Sequence, residues 1–445
     1  MDQFDTTCVR NTCVLGREGK FKHLILTLNF PESTCTTPDS APGQCKLLSE
    51  CAPLWALVNK SQRTREDTEL LRKSHCGFDG QMAKVCCPEP CYTPDGKEGQ
   101  CLSVYSCKHL VNLLKPPVPQ HILNYVQNSR CQGKDQYSVC CGPAFDNLTP
   151  PTPGQCSPSP LPPPPSTECC GKDGSAGNKI IGGNETGIDE YPWLALIEYK
   201  QGNHIKLLCG ASLISARYVL TAGHCVAGDV LNYGTPTNVR LGEYDTTNDG
   251  PDCIDGQGGG QDCTDGVTVI RIEKTIPHPD YNPYHSLKRH DIALIRLTTL
   301  APYTDFIRPI CLPTTDIAVN PPQSVRPPYK FFVAGWGAVN ETVNKSSRKL
   351  HVNVPFVDAA TCQVAYQQPK RNVALWRGQM CAGGEPNKDS CKGDSGGPLM
   401  FENGKLYELA GVVSFGPVPC GLKNIPGVYT KVFEYVPWIR SVMRP

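Results

Sequence analysis

Residues 389–399 read DSCKGDSGGPL: a serine between an aspartate and two glycines, with a second aspartate six positions upstream. A serine hydroxyl titrates far above neutral pH and is a poor nucleophile alone, so its use depends on partners elsewhere in the chain. Two short stretches supply candidates. LTAGHC (220–225) presents His224 beside Cys225, and HDIALIRL (290–297) presents Asp291 opening an apolar strand. Singly, each is bland, since a histidine among small residues is more often structural and an aspartate before a strand is commonly a turn residue. In the order His, Asp, Ser, with GDSGGP about the serine, they supply a nucleophile, a base and a group that orients the base.

The surrounding texture is all-β. From 180 onward, runs such as WLALIEY, YVLTAG, IALIRL, KFFVAGWG and LAGVVSF alternate with Gly, Pro and Asn turns. Only EYVPWIRSVM at the C-terminus reads as a helix, with its proline expected near the start. The 445 residues allow about two to four domains. A net charge of +1 gives no argument for nucleic acid or an anionic membrane surface, and no apolar run approaches the roughly 18 to 20 residues of a membrane span. The 26 cysteines point to disulfides made in an oxidising compartment. N-x-S/T sequons at Asn59, Asn147, Asn184, Asn340 and Asn344 agree with secretion. The N-terminus lacks a charged segment followed by a long apolar core, so the expectation is that the signal peptide is missing from this chain and that residues 1–33 have no settled status.

Two segments repeat. Cysteines 35, 45, 51, 76, 86 and 87 are spaced 10, 6, 25, 10 and 1 apart; cysteines 91, 101, 107, 131, 140 and 141 are spaced 10, 6, 24, 9 and 1. TPDSAPGQC against TPDGKEGQC, and KVCCP against SVCCG, extend the match. Two copies of one module, 34–88 and 90–142, is the economical reading. So small a module holds little core, and three bridges apiece are its main staple; the C-x2-C spacing that zinc favours is absent. Spacing does not choose among the fifteen connectivities six cysteines permit. The proline-rich stretch that follows, within 143–179, reads as an extended spacer.

Residues 180–445 resemble a trypsin-fold serine protease of the chymotrypsin family. The doubled module, the proline-rich stretch and the protease together resemble the arthropod clip-domain serine proteases, above all the prophenoloxidase-activating enzymes of insects. The fold so implied is an all-β trypsin-like double β-barrel preceded by two small disulfide-rich clip domains. The resemblance assigns catalysis to His224, Asp291 and Ser395, and the oxyanion hole to the backbone N–H groups of Gly393 and Ser395, where loss of one donor costs about 3 to 4 kcal/mol. Asp389 takes the floor of the specificity pocket, with Ser414, Gly416 and Gly427 lining it; a carboxylate there implies cleavage after Arg or Lys. Phe415 stands where the family usually has Trp, and Gly223 where it usually has Ala.

In NKIIGGNE (178–185), the resemblance implies cleavage after Lys179, which frees the α-amino group of Ile180 to pair with Asp394 and order the site. The clip pattern implies Cys35–Cys86, Cys45–Cys76, Cys51–Cys87, Cys91–Cys140, Cys101–Cys131 and Cys107–Cys141. The protease pattern implies Cys209–Cys225, Cys362–Cys381 and Cys391–Cys420, with Cys170–Cys311 tethering the two halves of the cut chain. Cys253 and Cys263 flank a loop they would close, Cys156 pairs with Cys169 by elimination, and Cys8 with Cys13 more weakly. Glu243, Asp245, Asp262 and Asp265 resemble in part a structural calcium loop; a solvated acidic loop is the competing reading, and the chemistry itself calls for no cofactor. The implied setting is the haemolymph, with prophenoloxidase as substrate, an upstream activating protease, a clip-domain cofactor and an inhibitory serpin. Two alternatives stand: a clip protease that cuts another zymogen or a Toll-ligand precursor, and a non-catalytic clip homologue, which the intact triad opposes.

Overall fold

Short β-branched and aromatic runs between turn residues pair into two closed antiparallel sheets. The computed structural model describes residues 5–9, 12–16, 34–38, 42–60, 62–88, 90–94, 97–131, 133, 135–144, 156–174, 184–255, 260–285, 287–321, 329–337, 345–367, 373–386, 393–417 and 420–445. In the first barrel, Leu194–Gln201, His204–Ser215, Tyr218–Thr221, Ala293–Leu297, Thr268–Pro277 and Thr235–Leu241 pair in that order, and the last returns to the first. In the second, the order is Leu350–Val357, Lys330–Gly335, Pro398–Asn403, Leu406–Phe415, Pro426–Lys431 and Gln379–Gly383. Pairing of Phe356 and Val357 with Ala382 and Cys381 closes it. Asn184–Glu185 adds a short strand to its edge.

Each barrel is filled by its inward side chains. Trp193, Ile197, Leu213, Leu220 and Leu294 pack the first, and Phe331, Val354, Leu399 and Tyr429 the second. Each such side chain contributes about 1.5 to 3 kcal/mol on burial. The C-terminal helix spans Val432–Val442 and lays Tyr435, Trp438 and Ile439 on the first core. It starts earlier than its sequence suggested, so Pro437 lies inside it rather than near its start. A second helix, Ala359–Tyr366, has no counterpart in the sequence reading. Its signal is the cap: Asp358 Oδ1 accepts the N–H groups of Ala360 and Thr361 at 3.0 and 2.9 Å.

Met1–Pro90 and Cys91–Pro445 are separate compact units. In the first, strands Thr34–Thr36, Pro42–Leu47, Met82–Pro88 and His75–Asp79 form a sheet stapled by Cys35–Cys86, Cys45–Cys76 and Cys51–Cys87. A hairpin, Asp5–Val9 with Thr12–Gly16, sets Cys8 opposite Cys13 in register; their side chains lie outside those described. The second unit opens with the repeat of the module. Strands Cys91–Tyr92, Glu98–Ser103 and Ser138–Cys141 are stapled by Cys91–Cys140, Cys101–Cys131 and Cys107–Cys141.

The proline-rich stretch is no free spacer where it is described. Cys156–Cys169 closes residues 156–174, and Cys170–Cys311 ties them to the protease. Ala216 N–H and the Ser215 hydroxyl donate to the carbonyls of Ser159 and Pro160 at 2.8 and 2.9 Å. Proline cannot donate, but its carbonyls still accept, so such a segment can dock on a polar seam without being a strand.

Candidate active site

The site is assembled across both barrels. His224 lies in a single 3-10 turn, Gly223–Cys225, at the end of a first-barrel strand. A Cβ on Gly223 would come within 2.8 to 3.0 Å of the Tyr281 ring, which is why alanine does not stand there. On the other side, Cys225 is bridged to Cys209, and its carbonyl accepts the Tyr199 hydroxyl at 2.6 Å. The imidazole's backbone is thereby held from both directions.

Asp291 precedes the strand Ala293–Leu297 and is wholly buried. Its Oδ1 accepts the His224 backbone N–H at 2.8 Å, and its Oδ2 lies 2.8 Å from His224 Nδ1. A carboxylate can only accept, so the proton sits on Nδ1 and Nε2 is left to act as base. Two hydroxyls reach over from the second barrel: Ser414 donates to Asp291 Oδ2 at 2.6 Å and Thr430 to the Asp291 carbonyl at 2.7 Å. Burial pushes the Asp291 carboxyl up, but the His224 imidazole and these hydrogen bonds outweigh it and hold it below the usual carboxylate range.

Ser395 sits in the turn before Pro398–Asn403, pressed against the first barrel. Its carbonyl accepts the Gly210 N–H at 2.9 Å and lies 3.7 Å from Sγ of Cys225, the neighbour of His224. The glycines follow from this crowding. Gly396 has φ +78, and a Cβ there would run into the Thr221 hydroxyl and lie 2.6 Å from the Gly210 carbonyl. Gly393 has φ +105, a conformation only glycine adopts freely. Beside Gly393 opens a cleft of about 230 Å³ lined by Leu196, Leu207, Trp336 and Lys345.

Asp394 Oδ1 accepts the Gly337 N–H at 2.9 Å, and a Cβ on Gly335 or Gly337 would collide with its carboxylate. Lys179, Ile180, Asp389 and Cys391 lie outside the described residues. Cys420 is in a disulfide. Gly416 is exposed, Gly427 is buried opposite Ala382, and Phe415 meets Tyr366 edge-on at 5.9 Å. Ser414, expected to line substrate, is itself a buried clamp on Asp291, and Thr430 had no assigned role. The only sequence signal for either was a hydroxyl within the apolar runs GVVSF and GVYT.

Cys362–Cys381 is formed, and Cys253–Cys263 closes its hairpin. The four carboxylates compared with a calcium loop are not gathered. Glu243 Oε2 takes two hydrogen bonds from Arg240, at 3.0 and 2.7 Å, and the same guanidinium reaches Glu198 and Asp249. Asp245 turns to Thr247 and Arg348. Asp262 is exposed in its hairpin, and Asp265 is exposed beyond it. Among the described residues, no close group of three or more potential ligand atoms includes any of the four. An arginine answers this acidic loop. Of the sequons, Asn59 is exposed and Asn184 lies in the edge strand Asn184–Glu185; Asn147, Asn340 and Asn344 are outside the described residues.

Comparison with known proteins agrees with the geometry. Residues 180–439 match the Trypsin family model, and residues 35–87 and 91–141 each match the regulatory CLIP domain of proteinases. The chain is 51% identical over 436 residues to a phenoloxidase-activating enzyme of Bombyx mori, covering 95% of this chain and 97% of that one. It is 42% identical to Serine protease ea of Drosophila melanogaster, covering 84% and 96%. Among solved structures, that of the Drosophila Grass clip serine protease of the Toll pathway matches with a TM-score of 0.54 at 29% identity, covering 93% and 97%.

Proposed function

The chain belongs to the trypsin family of serine proteases, in the branch that carries clip domains, and from this premise we propose that it is a secreted zymogen whose mature form activates prophenoloxidase. As a trypsin-like endopeptidase it attacks a peptide carbonyl with Ser395 while His224 Nε2 takes the hydroxyl proton. Asp291 stabilises the imidazolium that results, and His224 then hands the proton to the leaving amine. Water, deprotonated by the same imidazole, then cleaves the Ser395 ester and restores the enzyme; every group the protein brings to that sequence is a side chain, so the hydrolysis calls for no cofactor. The mature enzyme cuts after Arg or Lys because Asp389 meets the basic side chain.

Activation is by cleavage after Lys179. The ammonium freed at Ile180 pairs with Asp394, next to the nucleophile. Pairing raises that ammonium's pKa, so its contribution is present at neutral pH and lost as pH rises through the raised value. An upstream protease of trypsin-like preference makes the cut, a clip-domain homologue assists and a serpin ends the activity.

One observation carries the choice of substrate: near-full-length identity of 51% to a protein named for activating phenoloxidase, against 38% to one named for processing Spaetzle. The test is to cut the purified zymogen, sequence the new N-terminus from Ile180, and offer the product prophenoloxidase and a Toll-ligand precursor side by side. Rapid cleavage of prophenoloxidase after an arginine supports the proposal. Cleavage of the Toll-ligand precursor alone transfers the enzyme to the other cascade, and full activation of Lys179→Ala by the same treatment would sink the scheme.

A further inference from the structure

The second clip module rests on the C-terminal helix of the protease, and their seam holds a guanidinium with no carboxylate partner among the described residues. Arg440 Nη2 donates to Asn128 Oδ1 at 2.6 Å. That bond fixes the amide's orientation, since a flipped amide would set donor against donor. Two donors are left over. Arg440 Nε and Asn128 Nδ2 are both sealed from solvent, and neither meets an acceptor. Asn128 as a whole is only 4% exposed. Both residues line a cavity of about 20 Å³ whose wall also includes Gln127, Arg130, Thr314 and Pro437.

The charge around that cavity is one-sided. Arg130, at the cavity wall, turns one guanidinium N–H to the Gln136 carbonyl at 2.8 Å in an exposed bond. Carboxylates on neighbouring segments are engaged elsewhere: Glu434 lies 3.8 Å from Arg377, and Asp316 lies 3.0 Å from Lys431. Burial pulls Arg440 down to about 10, as befits a cation without a counter-charge.

We propose that this cavity binds one small monovalent anion of halide size, and that the ion locks the second clip module onto the protease. Two orphan donors, one of them on a guanidinium, call for a partner that only accepts. The space is of the order of a single water molecule, close to the size of a halide ion. A water would satisfy the donors but leave the half-buried guanidinium's charge unanswered.

Two measurements on the full chain test this. Crystals soaked in sodium bromide should show an anomalous peak within hydrogen-bond reach of Asn128 Nδ2. Melting curves in sodium chloride should run about 2 to 4 °C above those in sodium gluconate at equal ionic strength. Asn128→Asp carries its own carboxylate to Arg440, and it should lose both the peak and the chloride effect. Absence of the peak in the wild type overturns the proposal and leaves a water in the cavity. A peak without a melting difference marks an adventitious ion and overturns it equally, as does an undiminished chloride effect in Asn128→Asp.

Discussion

The first clip module and the barrels reach stability by opposite means. The buried core of the first module is Cys51, Leu54, Val85 and Cys87, half of it cystine, and its helix Arg65–Lys73 buries none of its residues. The barrels instead share a core that runs from Tyr191 and Trp193 through Leu213 and Leu294 to Met400, Leu409 and Trp438. Where apolar area is scarce, covalent bonds fix the topology and leave the surface unconstrained. Where a proton must move between two side chains, packing has to fix each of them to a fraction of an ångström.

The hardest blow to this contrast falls on the barrels. Asp291→Asn should leave both regions folded yet lower kcat by about 10⁴-fold, because the imidazole is then held in the wrong tautomer; steady-state kinetics on an arginyl substrate after activation would show it. The matching blow to the clips is Cys51→Ala with Cys87→Ala. Loss of that bridge should cost the first module about 2 to 5 kcal/mol while hydrolysis of a small substrate stays unchanged. Limited proteolysis and the same kinetic assay separate the two effects, and a matching loss of activity would erase the contrast.

A subtler effect concerns Lys349, buried in the barrels with its ammonium donating to the carbonyls of Ile188 and Glu190 at 3.3 and 2.6 Å. Burial lowers it from 10.5 to about 8, although Glu190, Asp173 and Asp189 pull the other way. Between those values the unfolded chain binds more protons, so stability should rise with pH across that window, by an order of 2 to 3 kcal/mol. Denaturant titrations at pH 8 and pH 10 would measure it, and Lys349→Met should flatten the slope. Ser414→Ala removes one hydroxyl from the Asp291 carboxylate and should cost about 1.5 to 3 kcal/mol of transition-state stabilisation. Gly223→Ala pushes against Tyr281 and should cost about 1 to 3 kcal/mol of stability, with Gly223→Ala/Tyr281→Leu recovering most of it.

The sequence made some of this visible and hid the rest for a physical reason. His224 and Ser395 announce themselves because each is embedded in a local pattern of small residues that lets the chain turn tightly there, and Asp291 because it opens an apolar strand and completes the order His, Asp, Ser. The clip cysteines do so by recurring. Ser414 and Thr430 do not, because their partner lies 123 and 139 residues away and only barrel closure brings it within reach. The docking of the proline-rich stretch was equally hidden, since it rests on the carbonyls of Ser159 and Pro160 rather than on side-chain type. The surroundings of the acidic loop were partly hidden in the same way: Arg240, three residues from Glu243, is visible in the sequence, but its reach to Glu198 is not.

The two hydroxyls that cross from one barrel to the other carry a last implication for the cell that makes this protein. A ribosome finishes His224 and Asp291 long before it reaches residues 395, 414 and 430. A half-synthesised chain therefore owns a base and the carboxylate that orients it but neither the attacking group nor the clamps that seat them, and it poses no threat to the proteins around it.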